Sequence, residues 1–381
     1  MAGTVTPNRL RELAEFRAES GCAISLYLGF DPSTAALIPA ASTKINSLLD
    51  EAQKSTFANR SELTHEQKRG LQDDLDRVRR FLSEEFKRDG VRGVAIFTDG
   101  LDNFWSANAL IEPVPDQVRV GPDFYLTPLV PLLGRGEGAL VAVVGRERGL
   151  VYLLRNGRLE EVADHTKAAP YRRTDQGGWS QARYQRHVDE LASAHLRTVA
   201  EELDRRVRAG ATQIVVVCSD ENRAELDTMI SRETRSAIVG WVPGEPHAST
   251  TELLRRALPF LERARLEEQS EALARWQEEA GRNGRAAAGW QQTLEAASDG
   301  RVELLLFQEG VNREAYQCPS CRRAQIKAGA CPLDGTQLEP RRDGIDLAVH
   351  QTLAHGGEVR SLPRERHELG PVEGIAALLR Y

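Results

Sequence analysis

"ALVAVVGRERGLVYLLRNGRLEEVAD", residues 139–164, is the stretch that decides the fold. Three short runs, ALVAVVG, GLVYLLRN and GRLEEVAD, are separated by glycine-containing and Asn-Gly turns, as in antiparallel strands joined as a meander. Beyond the meander the chain is not all-β. Residues 166–179 are polar and irregular, and a helical pattern then runs from about Ser180 to Arg208. The apolar strand QIVVVC (213–218), a helix over 221–231, the short strand SAIVGWV (236–242) and a long charged helix over 250–282 complete the block. A meander succeeded by alternating helices and strands predicts a mixed sheet covered by helices, an α/β plan.

Outward from this block the plan stays α/β. Upstream lie helical periodicity over 7–18, the buried-strand run AISLYLGF (23–30), charged amphipathic helices over 40–54 and 64–89, and the strand VRGVAIFTD (91–99). The Pro- and Gly-rich stretch 122–138 reads as a boundary. Downstream come a helix over 285–298, the strand RVELLLFQ (301–308), a cysteine-bearing interruption, a helix over 344–356, a strand around Glu358–Leu362 and the closing strand GIAALLRY. The 381 residues suit three domains: an N-terminal α/β domain (1–135), the middle mixed-sheet domain (136–282), and an α/β sandwich (283–381) with a zinc-ribbon-like insert at 316–340.

Composition narrows the class. Hydrophobic residues make up 41% and charged residues 28%, an ordinary globular mix. No stretch approaches the roughly 20 apolar residues that span a bilayer, and the N-terminus lacks a secretory apolar core, so a cytoplasmic protein without a membrane partner is expected. The net charge of −6 means that a polyanion would need a local basic patch.

Such a patch exists. The window 167–186 holds five cations, Lys167, Arg172, Arg173, Arg183 and Arg186, against the single anion Asp175, a net +4. Tyr171, Trp179 and Tyr184 add faces on which a base can stack. Gly177 and Gly178 let the backbone take positive φ and come close to a substrate. Ser180 suits a helix N-cap, which would place free N–H groups beside them. The combination suits an RNA-contacting tip; a Gly-Gly pair by itself equally fits a solvated loop entering a helix. His165 and His187 flank the window without a partner carboxylate pattern and read as contact or packing residues. No P-loop, GxGxxG or Ser-His-Asp signature is present, so nucleotide chemistry would belong to a partner.

Five cysteines divide into two sets. Cys22 and Cys218 sit in or beside apolar strands and read as small core residues. Cys318 and Cys321 form a CxxC knuckle, and CPLD at 331–334 forms a second in which Asp334 replaces a cysteine. Paired knuckles close a tetrahedron around zinc, and a carboxylate is an accepted ligand. The site is closed and therefore structural, the alternative being a metal-free hairpin held by packing. His350 and His355 lie on the next helix and read as ordinary surface or core histidines.

The run GGWSQARYQR (177–186) resembles the GGQ tip of the eukaryotic and archaeal class-1 peptide chain release factors, GGQSAxRFxR. Gly177, Gly178, Ser180, Arg183, Tyr184 and Arg186 fall at matching positions. The strand meander before the tip, the long helix after it, and the segments GRVELLLF and GIAALLRY extend the resemblance over about 139–381. It points to a bacterial branch of this Pelota-containing superfamily, with Balon-type hibernation factors among its relatives; some archaeal members carry a comparable zinc insert. The resemblance implies binding to the ribosome and to tRNA, and a possible elongation-factor-Tu-like GTPase partner. It also implies hydrolysis of peptidyl-tRNA, with Gly177 and Gly178 shaping the tip and Gln181 orienting water. Lys167, Arg172, Arg173, Trp179, Arg183, Tyr184 and Arg186 would contact RNA. The chain departs from the family where Trp179 occupies the glutamine position, and Gln181 comes two residues later. The decoding motifs NIKS and YxCxxxF find no match in 1–135. Two readings stay open: peptide release or ribosome rescue by hydrolysis, and non-hydrolytic occupancy of the A site in hibernation or rescue. An RNA-binding factor acting off the ribosome is a third.

Overall fold

The computed structural model describes residues 5–30, 45–54, 63–86, 91–110, 112–133, 138–155, 157–166, 179–244 and 248–381; of residues 179–189 it describes the backbone alone. The chain is a mixed α/β protein with four sheets among the described residues, divided into two compact units, one continuous (134–268) and one assembled from 1–133 and 269–381.

The continuous unit is built on the meander. Strands β5 (Leu140–Val144), β6 (Gly149–Arg155) and β7 (Arg158–Asp164) pair antiparallel, and β8 (Ile214–Cys218) and β9 (Ile238–Pro243) add in parallel, giving the order β7-β6-β5-β8-β9. β5 and β8 are buried on both faces, which is why both read as unbroken apolar runs. Leu140, Ala142, Val144, Ile214, Val216 and Cys218 face a core completed by Leu196, Val199, Ala200 and Leu203 of helix α4 (Trp179–Arg208) and by Leu226 of α5 (Asp220–Met229). Val141, Val143, Val215 and Val217 face Leu253, Ala257 and Leu261 at the start of α7 (Thr250–Gly281). Burial pushes the Cys218 thiol up to about 11, as befits a small core residue. A one-and-a-half-turn helix, α6 (Arg232–Ala237), precedes β9, taking the residues Ser236 and Ala237 that read as strand. Its cap explains this: Ser231 Oγ accepts from the Thr234 N–H at 3.1 Å.

In the assembled unit, β1 (Ala23–Gly29), β2 (Gly93–Asp99), β3 (Phe104–Leu110) and β4 (Gln117–Gly121) form an all-antiparallel sheet in the order β3-β2-β1-β4. β3 and β4 escape a pattern reading because they are edge strands: β3 buries the polar Ser106 and Asn108, and β4 has no buried residue. Ile24, Leu26, Leu28, Val94 and Ile96 pack beneath α2 (45–54) and α3 (His65–Arg80), the latter opened by a Thr64–Gln67 capping box. Helix α3 ends in a π-helical turn over Phe81–Glu85 rather than running to residue 89.

The opposite face holds Ala23, Tyr27, Ala95 and Phe97. It shares one core with α1 (Pro7–Glu15), the 3-10 turn Thr127–Leu132, α8 (Gly289–Ser298) and α9 (Gly344–Ala354). Residues 122–133 therefore enter the core, with Phe124 and Leu126 fully buried, despite their boundary-like composition. The second sheet of this unit has the order β10-β16-β11-β15, from β10 (Ala286–Ala288), β11 (Val302–Gln308), β15 (Glu358–Leu362) and β16 (Ile375–Leu379). Residues 286–288, read as the start of a helix, are instead an edge strand held by β16, and Gly289 at φ 74° turns the chain into α8. A small sheet, β13-β12-β14, from β12 (Ala315–Gln317), β13 (Ala324–Gln325) and β14 (Glu339–Arg341), forms the cysteine-bearing insert.

A buried acid at the end of β2 makes a pH prediction. Burial, reinforced by Asp102, pushes the Asp99 carboxyl up to about 6. A folded-state pKa above the unfolded value gives stability that is complete below the unfolded pKa, near 4, and lost as pH rises through about 6. Urea melts of Asp99→Asn at pH 4 and pH 7.5 are expected to show the variant gaining on wild type by on the order of 1–2 kcal/mol at the higher pH.

Candidate functional site

The four ligand residues read from the sequence come together. Their donor atoms, the three Sγ atoms and a carboxylate oxygen of Asp334, all lie within 4.8 Å of one another. Two turns of like design place them. In the first, the Cys318 N–H donates to Arg323 O at 2.9 Å, Arg322 N–H to Cys318 O at 3.0 Å and Cys321 N–H to Cys318 Sγ at 3.4 Å. In the second, the Cys331 N–H donates to Thr336 O at 2.8 Å and Gly335 N–H to Cys331 O at 2.9 Å. Arg322 and Gly335 hold the matching left-handed positions, φ 64° and 74°. Glycine meets that demand freely; arginine does not.

The donor set fits a tetrahedral metal. Cys318 Sγ is 3.5 Å from Asp334 Oδ2 and Cys321 Sγ is 3.4 Å from Cys331 Sγ. A zinc site with Zn–S of about 2.3 Å and Zn–O of about 2.0–2.2 Å has edges of about 3.5–3.8 Å. Electrostatics prepare part of the set. The Thr336 N–H, 2.9 Å from Asp334 Oδ1, is the largest influence holding that carboxyl well below the usual range. Burial raises the Cys318 thiol, but the N–H groups of Cys321 and Ser320 outweigh it and lower the net value. For Cys321 the Arg323 N–H pulls down, while burial and hydrogen bonds with Cys331 and Cys318 push up to about 11. A metal is what would relieve such crowded thiols, since coordination deprotonates them outright. Packing offers little else: Cys318, Cys331 and Leu338, with Tyr316 against them, are the insert's own core. His350 is no ligand. It is buried in the shared core, with Nε2 2.6 Å from Phe124 O and Nδ1 3.4 Å from Ala14 O.

The other candidate site sits at the start of α4. Lys167, Arg172, Arg173, Gly177 and Gly178 lie outside the described residues, as do the side chains of Trp179, Gln181, Arg183, Tyr184 and Arg186. The backbone that carries the latter five is helical from Trp179, so Ser180 lies in the first turn instead of capping it. The described core contacts of α4 begin at Ala192 and His195. At 1.5 Å per residue, Trp179 stands about 20 Å further along the axis. At the end of β7 the His165 N–H donates to Gly149 O at 2.7 Å. His165 Nε2 stands 3.6 Å from the buried Glu202, which also takes Arg206 at 2.7 Å, a packing role for this histidine.

Residues 125–262, the meander, the loop and the helices after it, match the model of the bacterial archaeo-eukaryotic release factor family 10. Over this stretch the chain is similar to archaeo-eukaryotic release factors. It is 24% identical to the peptide chain release factor subunit 1 of Archaeoglobus fulgidus over 98% of this chain and 96% of that protein. It is 23% identical to the uncharacterized protein Rv2629 of Mycobacterium tuberculosis over 87% and 90%. Among solved structures it is similar to Pelota of Archaeoglobus fulgidus, at 17% identity and a TM-score of 0.34, over 78% of this chain and 81% of that one. Sequence reasoning missed the residues that hold the insert in place, Asp123, Arg322 and Arg341. Asp346 instead anchors Leu126 and Thr127 to α9, and the partners of these residues lie up to 220 positions away.

Proposed function

We propose that this release-factor-like protein is a ribosome-binding translation factor that carries the segment 167–186 to the peptidyl-transferase centre and acts in peptide release or ribosome rescue. The observation that carries the reading is the spacing of Gly177, Gly178, Ser180, Arg183, Tyr184 and Arg186 where the sequence enters helix α4. A net +4 in this window suits rRNA and tRNA phosphates. The glycine pair gives the backbone room at the ester that joins peptide to tRNA, and Gln181 is the side chain available to orient water. Trp179 at the position of the family's glutamine favours the second reading, occupancy of an empty or stalled A site without hydrolysis. Such a factor works in the cytoplasm, and any GTPase step belongs to a partner. The insert's Cys318, Cys321, Cys331 and Asp334 hold a structural zinc. Bound there, the metal cross-links the two knuckles and leaves no open position for catalysis.

A release assay on ribosomes carrying labelled peptidyl-tRNA separates the readings. Release by wild type that is lost in Gln181→Ala supports hydrolysis; binding by both without release rejects it in favour of occupancy. Binding itself is expected to weaken with salt. Arg183→Ala/Arg186→Ala is expected to reduce the slope of log K against log salt by about 2, as co-sedimentation across a salt series would record. No ribosome binding at any salt would leave the proposal without support.

A further inference from the structure

Asp123 ends the turn after β4 and is 9% exposed, yet it carries two ion pairs, and both partners come from the cysteine-bearing insert. Arg322 Nη2 reaches Asp123 Oδ1 at 2.9 Å, and Arg341 Nη2 reaches Oδ2 at 2.8 Å. Arg322 is the left-handed residue of the first knuckle, directly after the ligand Cys321; Arg341 is the last residue of β14. Two further contacts run the same way. Arg17 Nη2 donates to the carbonyl of Pro319, inside the first knuckle, at 3.2 Å, and Gln351 of α9 donates to Arg322 O at 2.8 Å.

We infer that the insert is a metal-dependent clamp that holds the segment around Asp123 in place, so that metal occupancy sets how firmly the N-terminal sheet is docked within its unit. The inference rests on the zinc reading of the cysteine cluster. Left-handed φ is unfavourable for a residue other than glycine, and it is kept only where the surroundings impose it. Here the knuckle imposes it, through Arg322 N–H to Cys318 O and Cys318 N–H to Arg323 O. The insert's core of four side chains cannot hold that turn unaided, whereas closure of four ligands can. When the knuckle opens, Arg322 loses its aim and β14 loses its support, and Asp123 is left a nearly buried carboxylate without cations. That state is costly, so the turn carrying Asp123 opens toward water.

Hydrogen exchange on the full chain, read together with zinc content, tests this. With zinc bound, peptides covering 117–127 are expected to be protected, and stripping with a chelator should speed their exchange about tenfold. Asp123→Ala should keep its zinc and show the same acceleration without stripping. Strands β5 and β8 of the other unit should not change in any sample and serve as the folding control. Zinc uptake with 117–127 unchanged on stripping, while 315–341 accelerates, would overturn the clamp and leave the metal reading intact. A wild-type chain that takes up no zinc would overturn the metal reading and the clamp with it.

Discussion

Cys331→Ser is expected to abolish stoichiometric zinc uptake and to destabilise the unit that carries the insert by on the order of 3–5 kcal/mol. The size reflects what the insert lacks. Its own core is Cys318, Cys331 and Leu338 with Tyr316, far less than a three-stranded hairpin needs, so ligand closure supplies most of its folding energy. Two of the four ligands are themselves core residues: Cys318 is fully buried and Cys331 is 3% exposed. A serine at 331 removes a soft ligand and places a hydroxyl among the remaining sulfurs. For a unit of this size such a loss lowers Tm by on the order of 10 °C. Metal content by atomic emission and thermal melts with and without chelator would check both effects. Asp334→Cys makes the complementary case. It completes a four-thiolate site and is expected to keep zinc binding. If Cys331→Ser melts with wild type, and chelator moves neither, the insert is held by packing and the zinc assignment fails.

Asp346→Ala should be strongly destabilising, costing about 3 kcal/mol. The carboxylate sits in the first turn of α9 and reaches residues 220 positions earlier in sequence. Its Oδ1 accepts from the Leu126 N–H at 2.8 Å, the Thr127 N–H at 3.0 Å and the Thr127 hydroxyl at 2.9 Å, and Oδ2 stands 3.6 Å from His350 Nε2. Leu126 is fully buried, so alanine would strand its N–H away from water, and each orphaned donor costs about 1–3 kcal/mol. Asp346→Asn keeps an acceptor oxygen at the same place and should lose only about 1 kcal/mol. Chemical denaturation of both variants beside wild type, with zinc present throughout, would give the ranking. Equal losses in alanine and asparagine would mean that the charge, not the acceptor geometry, matters.

These two sites differ in how legible they were. The cluster of Cys318, Cys321, Cys331 and Asp334 can be read from the spacing of two knuckles, because each turn is closed by hydrogen bonds across four or five residues and so leaves a local signature. The same holds for the central unit. β5 and β8 are buried on both faces and read as apolar runs, and α4 shows its core residues Leu196, Val199, Ala200 and Leu203 at helical spacing. The window 167–186 is legible as composition alone, cationic and aromatic around paired glycines, and its side chains lie outside the described residues. Its charge is a property of composition and needs no fold to be counted.

Tertiary structure alone decided how the two ends of the chain combine. Phe97 and Phe124 pack in one core with Trp290, Leu294 and Val349, and no local period announces contacts at that separation. The polar anchors of the same region, Asp123 and Asp346, look like surface acids in sequence because their partners, Arg322 and Arg341 for one and the Leu126 and Thr127 amides for the other, are reached only after the chain has folded back. Short-range hydrogen bonding and burial period write themselves into neighbouring residues. Pairings closed across some two hundred residues are chosen by the packing of whole elements, and that choice exists only in three dimensions.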